Sequence, residues 1–212
     1  MGYDVGEVLP VDGIPDGANL LVGGPSMTGK RRLALSLLDD GCERGEGAVV
    51  VGTHESTDRI RERAPNVSAQ VDAGRAGVVD CVTRQRGNRV GDEELVKYVS
   101  SPGDVTDVGI RLGGLFQVLE ERVDRARFGV STVSTMLMYA DPRRVYRLLH
   151  VFNGHVDRLD WMSLAVLDTS NREPFDTLAP LYDGMVQTRS GDDGRELRVV
   201  GLDSKPTAWV PY

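Results

Sequence analysis

Apolar residues along this chain fall into short blocks, separated by longer stretches in which apolar and polar positions alternate with helical spacing. The blocks at 18–22, 47–52, 77–82, 128–133 and 163–167 are rich in Val, Leu and Ala and bounded by glycine or polar residues, as buried strands are. Helical spacing predicts helices over 30–43, 57–64, 92–99, 108–126 and 142–158. The last has a clear start, with Asp141 as N-cap and Pro142 at the first turn. Strand and helix therefore alternate from residue 18 to about 170. That order predicts an α/β fold with a mostly parallel central sheet and helices on both faces.

The end of the chain has a different pattern. Residues 184–189 and 196–202 read as two strands joined by Ser190-Gly191-Asp192-Asp193-Gly194, which predicts C-terminal antiparallel strands. The tail from Lys205 to Tyr212 is expected along a sheet edge, and the polar spans 83–91 and 100–107 as loops. No internal repeat divides the 212 residues, so one domain over 1–212 is expected.

Composition adds a bias in charge. Acidic residues number 32 against 25 basic, a net charge of -7, and only three of the basic residues are lysine (Lys30, Lys97, Lys205). Aspartate is about twice as frequent as glutamate. An acidic, lysine-poor surface of this kind resembles those of salt-loving archaea, where screening at high salt weakens self-repulsion. Without a basic stripe, nucleic acid is not the expected main partner. No apolar run is long enough to span a membrane, and the first residues lack the charge pattern of an export signal. Cys42 and Cys81 have neither metal-ligand nor redox spacing. Together these predict a cytoplasmic protein.

The chemistry is concentrated in Gly24, Pro25, Ser26, Met27, Thr28, Gly29, Lys30 and Arg31. They match a phosphate-binding loop, G-x-x-x-x-G-K-S/T, up to the final position, and lie between a predicted strand and a predicted helix. Such a loop wraps its backbone N–H groups around phosphates, with the helix N-terminus adding partial positive charge. Lys30 would reach the β- and γ-phosphates. The hydroxyl that normally holds Mg²⁺ is replaced by Arg31, which would either contact phosphate itself or point to solvent. Glu55 follows the second strand, where a carboxylate could orient water toward a γ-phosphate. The strand at 128–133 offers Ser131 where a magnesium-anchoring aspartate would be wanted. Asp80 and Asp168 end other apolar runs and are alternative carboxylates, with capping or turn roles as the competing explanation. Arg122, Arg125 and Arg127 could act as a finger toward a neighbouring phosphate or simply form a solvated helix end. His54 reads as a structural or solvated histidine, and Trp161 and Trp209 as core or edge packing.

These residues resemble those of a known family. Gly13-Ile14-Pro15-Asp16-Gly17, the run from Leu20 to Pro25, and Thr28-Gly29-Lys30 look like the opening of RecA-superfamily ATPases of the KaiC and RadA type. Val49-Val50-Val51 followed by Glu55-Ser56 resembles that family's second strand and its catalytic glutamate. Residues 178–186 resemble the approach to its C-terminal strands. The resemblance implies a RecA-like P-loop fold, ATP as ligand and, where metal is handled, Mg²⁺. Met27, Arg31 and Ser131 depart from the family pattern at its inner glycine, its Ser/Thr and its magnesium-site aspartate. The chain thus resembles a degenerate, single-domain member, similar to KaiC-like proteins of salt-loving archaea. The resulting expectation is an ATP-binding regulatory protein with slow or absent hydrolysis, at most a weak ATPase, with no assigned metal ligand. Its expected partners are nucleotide and a protein partner or another copy of itself. The alternatives are an active Mg-dependent ATPase using Glu55, with Mg²⁺ on a relocated carboxylate such as Asp168, and an interaction scaffold that binds no nucleotide.

Overall fold

The computed structural model describes residues 2–191 and 194–212. A small antiparallel pair, β1 (Gly2–Tyr3) and β2 (Ile14–Pro15), precedes the main body. Then follow β3 (Asn19–Gly24), α1 (Lys30–Glu43), β4 (Gly47–Gly52), α2 (Thr57–Arg63), α3 (Pro65–Asp72) and β5 (Ala76–Asp80). The middle comprises β6 (Val96–Tyr98), α4 (Val105–Glu120), β7 (Ala126–Val130), α5 (Val133–Tyr139), α6 (Pro142–Arg158) and β8 (Met162–Asp168). The last part is α7 (Arg172–Leu178), β9 (Gly184–Gly191), β10 (Gly194–Val200) and β11 (Val210–Pro211).

The main sheet has the order β11-β10-β9-β3-β8-β7-β4-β5-β6. It is parallel from β9 to β6, while β9, β10 and β11 pair antiparallel. Strands β3, β4, β5 and β7 are buried along their whole length, as expected where helices cover both faces. Helices α1, α2 and α3 pack through Leu33, Leu37, Ile60 and Val67 on one face. Helices α4, α5 and α6 pack through Leu112, Met136 and Leu149 on the other. There Trp161 is buried among Phe116, Phe128 and Phe152 and is core, as its sequence setting suggests. Trp209 lies at the edge, between Arg189 and Arg198. No helix among the described residues is long and apolar enough to cross a membrane.

Helix α6 has its expected bounds: the Asp141 carboxylate accepts from Arg143 N at 2.7 Å, Pro142 occupies the first turn, and Val145, Leu149, Phe152 and Val156 are buried at helical spacing. Other expectations need correction. No helix spans 92–99. Val96 and Tyr98 instead add β6 to the open edge of β5, burying both side chains, and the Asp92 carboxylate accepts from Tyr98 N and receives Arg84 and Arg111. Helix α4 runs from Val105 to Glu120, because Asp104 caps it early and a turn intervenes before β7. The strand expected at 128–133 stops at Val130, and its β-branched continuation opens α5 instead. Helices α3 and α7 carried no usable sequence signal. The expected hairpin forms, although Asp192 and Asp193 of its linker lie outside the described residues. The tail places β11 on β10, along the sheet edge.

Arg127 is not solvated, Arg125 is half-buried, and both are held by carboxylates of this chain. Arg127 is fully buried in β7. It donates to Glu46 at 2.5 Å, to the Leu37 carbonyl at 2.6 Å, to the Asp4 carbonyl at 2.8 Å and to Asp40 at 3.3 Å. Arg125 pairs with Asp16 at 2.9 Å and covers the Tyr3 ring, while Arg122 pairs with Glu94 at 2.5 Å.

Candidate functional site

The loop between β3 and α1 sits at the C-terminal edge of the sheet, with parallel neighbours on both sides of its strand. Its two outer glycines are there for steric reasons. A Cβ on Gly24 would lie 2.1 Å from the Thr188 hydroxyl and 2.5 Å from the Thr188 carbonyl oxygen of β9. Gly29 has φ +82° and is the N-cap of α1. It offers no side-chain cap, and the first turn of α1 carries no acidic residue, so the leading N–H groups are left for an anion. Met27 holds φ +68° with its side chain 89% exposed, a conformation that costs a non-glycine residue about 1–2 kcal/mol. The surroundings hold the loop in place. The buried Thr28 hydroxyl donates to the Pro25 carbonyl at 2.9 Å and meets the Thr188 hydroxyl at 2.7 Å, and the Tyr212 hydroxyl donates to the Thr28 carbonyl.

Lys30 is buried and folded back over the loop, donating to the Pro25 carbonyl at 2.7 Å and to Asp168 at 3.0 Å. The same carboxylate oxygen of Asp168 accepts from Ser26 at 2.6 Å, while its other oxygen accepts from Ser170 N at 2.9 Å. A side chain from the end of β8 thus sits where a phosphate would engage the lysine. Burial raises the Asp168 pKa, but the hydrogen bonds from Ser26, Ser170 and Lys30 outweigh it and hold the carboxyl well below its ordinary 3.8. Because the folded value is depressed, the contact contributes stability in full above the unfolded value and loses it as pH falls further. The melting-temperature gap between wild type and Asp168→Asn should therefore be constant near neutrality and shrink below about pH 4. Thermal melts across that range check this.

In front of the loop lies a cavity of about 640 Å³. Five cationic side chains line it, Lys30, Arg31, Arg32, Arg63 and Arg195, against two carboxylates, Glu55 and Asp168. Arg31 is exposed and faces this cavity. Glu55 also lines it, with its carboxylate 2.6 Å from Arg63. His54 is pushed down in pKa, first by burial and then by the Arg31 charge, so it stays neutral at neutral pH. The structure therefore brings together the loop, Arg31, Glu55 and Asp168, which were singled out in sequence. Arg195 and Arg63 carried no sequence signal and reach the site only through the folding of the β9–β10 hairpin and α2.

Two other residues take structural roles. Ser131 accepts from Thr53 N at 3.0 Å, tying the ends of β4 and β7 together. Asp80 is fully buried and accepts from Thr57 N at 2.7 Å and from Val82 N and Thr83 N at 2.8 Å each, which makes it a turn anchor. Among the described residues, no group of three His, Cys, Asp or Glu side chains is placed to hold a metal ion. The cradle and its cations fit a polyphosphate; Mg²⁺, which beside phosphate oxygens and water needs only one or two protein carboxylates, would find Glu55 and Asp168 in the lining, each engaged by a cation. Cys42 and Cys81 are buried, and burial raises both thiol pKa values, so neither is a nucleophile at neutral pH.

A family model described as a family of unknown function, DUF7504, matches residues 17–188. The chain belongs to the DUF7504 family. The match takes in the loop, Glu55, Ser131 and Asp168, so the whole candidate site except Arg195 falls within the DUF7504 region. Among solved structures, the fold is similar to that of the KaiC-like protein PH0186 from the hyperthermophilic archaeon Pyrococcus horikoshii OT3. The TM-score is 0.66 over 96% of this chain and 87% of that one, at 12% sequence identity. This DUF7504 chain therefore has a KaiC-like, RecA-type fold. No curated protein matches it in sequence.

Proposed function

We propose that the chain is a nucleotide-binding regulatory protein that takes ATP at Gly24–Arg31 and hydrolyses it slowly or not at all. The observation that carries this reading is the pairing of a phosphate-binding loop with a cavity whose two carboxylates, Glu55 and Asp168, are both already engaged by cations. The uncapped start of α1, Lys30 and the excess of arginine in the cavity supply positive potential for a polyphosphate. Lys30 would leave Asp168 for the phosphates, and Arg31, Arg32 or Arg195 would neutralise charge that Mg²⁺ neutralises in a working ATPase. Glu55, pinned by Arg63, is poorly placed to take a proton from water.

The Lys30–Asp168 pair favours a second reading, a scaffold in which the carboxylate permanently fills the phosphate seat and no nucleotide binds. Calorimetric titration with ATP in concentrated KCl, with and without Mg²⁺, separates the two. The expected result is binding that does not require Mg²⁺, weakened at least about tenfold in Lys30→Ala, or about 1.4 kcal/mol. Phosphate release is expected at background in wild type and in Glu55→Gln. Folded wild type that takes up no nucleotide would leave the scaffold reading standing. Fast Mg²⁺-dependent release abolished by Glu55→Gln would establish an ATPase instead.

A further inference from the structure

Away from the phosphate loop, on the other face of the sheet, α4 and α6 leave a groove of about 660 Å³ between them. Its apolar lining includes Leu148 and Phe152, and two large apolar side chains remain in solvent at its rim, Ile110 at 67% exposure and Val151 at 46%. Helix α4 is unusual for a chain so rich in charge. Its exposed positions Thr106, Ile110, Gly114 and Gln117 form one uncharged stripe, and charge resumes only at Glu120. A glycine inside a helix costs about 1 kcal/mol relative to alanine. Gly109 has a reason within the chain, since a Cβ there would press on Leu148 at 3.2 Å. Gly113 and Gly114 have none, because nothing lies within 4 Å of the Cβ either would carry.

The opposite wall of the groove is cationic. Arg143, Arg144 and Arg147 line it from the first turns of α6. Neighbouring arginines are neutralised locally, Arg111 by Asp107 and Arg158 by Glu120. Arg143, Arg144 and Arg147 form no ion pair with any carboxylate among the described residues, and the one acidic side chain on the rim, Asp141, is engaged as the cap of α6. The groove thus has an uncharged α4 wall of Val105, Thr106, Gly109 and Ile110, an apolar floor and a wall of unneutralised arginine, and the exposed stripe of α4 continues beyond it through Gly114 and Gln117. We propose that it docks an acidic amphipathic helix of a protein partner. The helix would lay small and apolar residues against Ile110 and the open glycines of α4, and its carboxylates would face Arg143, Arg144 and Arg147. Nucleic acid fits less well, because the floor and one wall are uncharged and the chain as a whole carries a net charge of -7. The proposal does not depend on nucleotide binding.

The test uses the full chain, isotopically labelled for backbone-amide NMR, and a synthetic helical peptide of about 18 residues with Leu and Ala on one stripe and Glu on the other. A control peptide carries Gln in place of every Glu. Shifts are expected to be confined to α4 and α6, with at least about tenfold weaker binding for the Gln peptide and for the Arg144→Glu/Arg147→Glu variant. Gly114→Leu should melt no earlier than wild type yet bind at least about tenfold more weakly, since the new side chain fills space the partner helix needs. Lys30→Ala should bind the peptide as wild type does, so failure of this proposal is distinguishable from failure of the nucleotide reading. Shifts mapping elsewhere, equal affinity for the Gln peptide, or stronger binding of an oligonucleotide to the same arginines would overturn it. So would a wild-type dimer in sedimentation that Ile110→Asp dissolves, because a second copy would then cover the face.

Discussion

Replacing Arg127 with methionine is expected to lower the unfolding free energy by about 3–5 kcal/mol, the usual loss when one member of a buried ion pair is removed. The guanidinium is fully buried, and acceptors from four residues converge on it: Asp4, then Leu37 and Asp40 of α1, and Glu46 just beyond that helix. Asp40 keeps a partner in Arg44, at 3.1 Å, but Glu46 loses the only guanidinium that touches it among the described residues. The loss is therefore expected to arise mainly from Glu46, stranded in a poorly solvated site. Adding Glu46→Leu should recover a large part of it, because an apolar pair in place of a buried ion pair is often close to neutral. Denaturant melts of the two single variants and the double variant check this. A loss below about 1 kcal/mol for Arg127→Met would mean that water reaches the carboxylate after all.

Gly24→Val should cost about 3 kcal/mol and remove the proposed ATP binding, because it acts on both the fold and the loop. Its Cβ alone would collide with the hydroxyl and the carbonyl oxygen of Thr188, and the carbonyl belongs to the neighbouring strand and cannot rotate away. Either β9 separates from β3 or the loop swings outward, and both routes break the Thr28–Thr188 contact at 2.7 Å. Gly113→Val, on α4, is a control with the same side-chain change and open space around it, and should cost nothing, because valine has a higher helix propensity than the glycine it replaces. Melting temperature and ATP titration on the same samples provide both readouts.

The sheet, the loop and the start of α6 were legible because each is written in local pattern: continuous Val-rich blocks, glycines around a lysine, and Asp141-Pro142 ahead of a helical stripe. Segment 92–99 was not. Its charged residues suit a solvated helix, and only the unpaired edge of β5 makes Val96 and Tyr98 a strand. The site divides in the same way. Gly24, Gly29 and Lys30 announce themselves because phosphate chemistry constrains their spacing. The contact between Asp168 and Lys30 joins β8 to the start of α1, and no local pattern records a pairing of residues so far apart. Arg127 looked like surface because an arginine inside a parallel strand is rare, and its partners lie far away along the chain.

The strained backbone at Met27 bears on the speed of ligand capture. If the loop takes phosphate as proposed, then, pinned by Thr188 and Tyr212 against its own local preference, it has little ordering left to do when the ligand arrives. The slow event then becomes release of one ammonium from one carboxylate. The association rate would report on that single opening, rising in Asp168→Asn and staying unchanged in Met27→Gly, while the depth of the cradle sets how long the ligand stays.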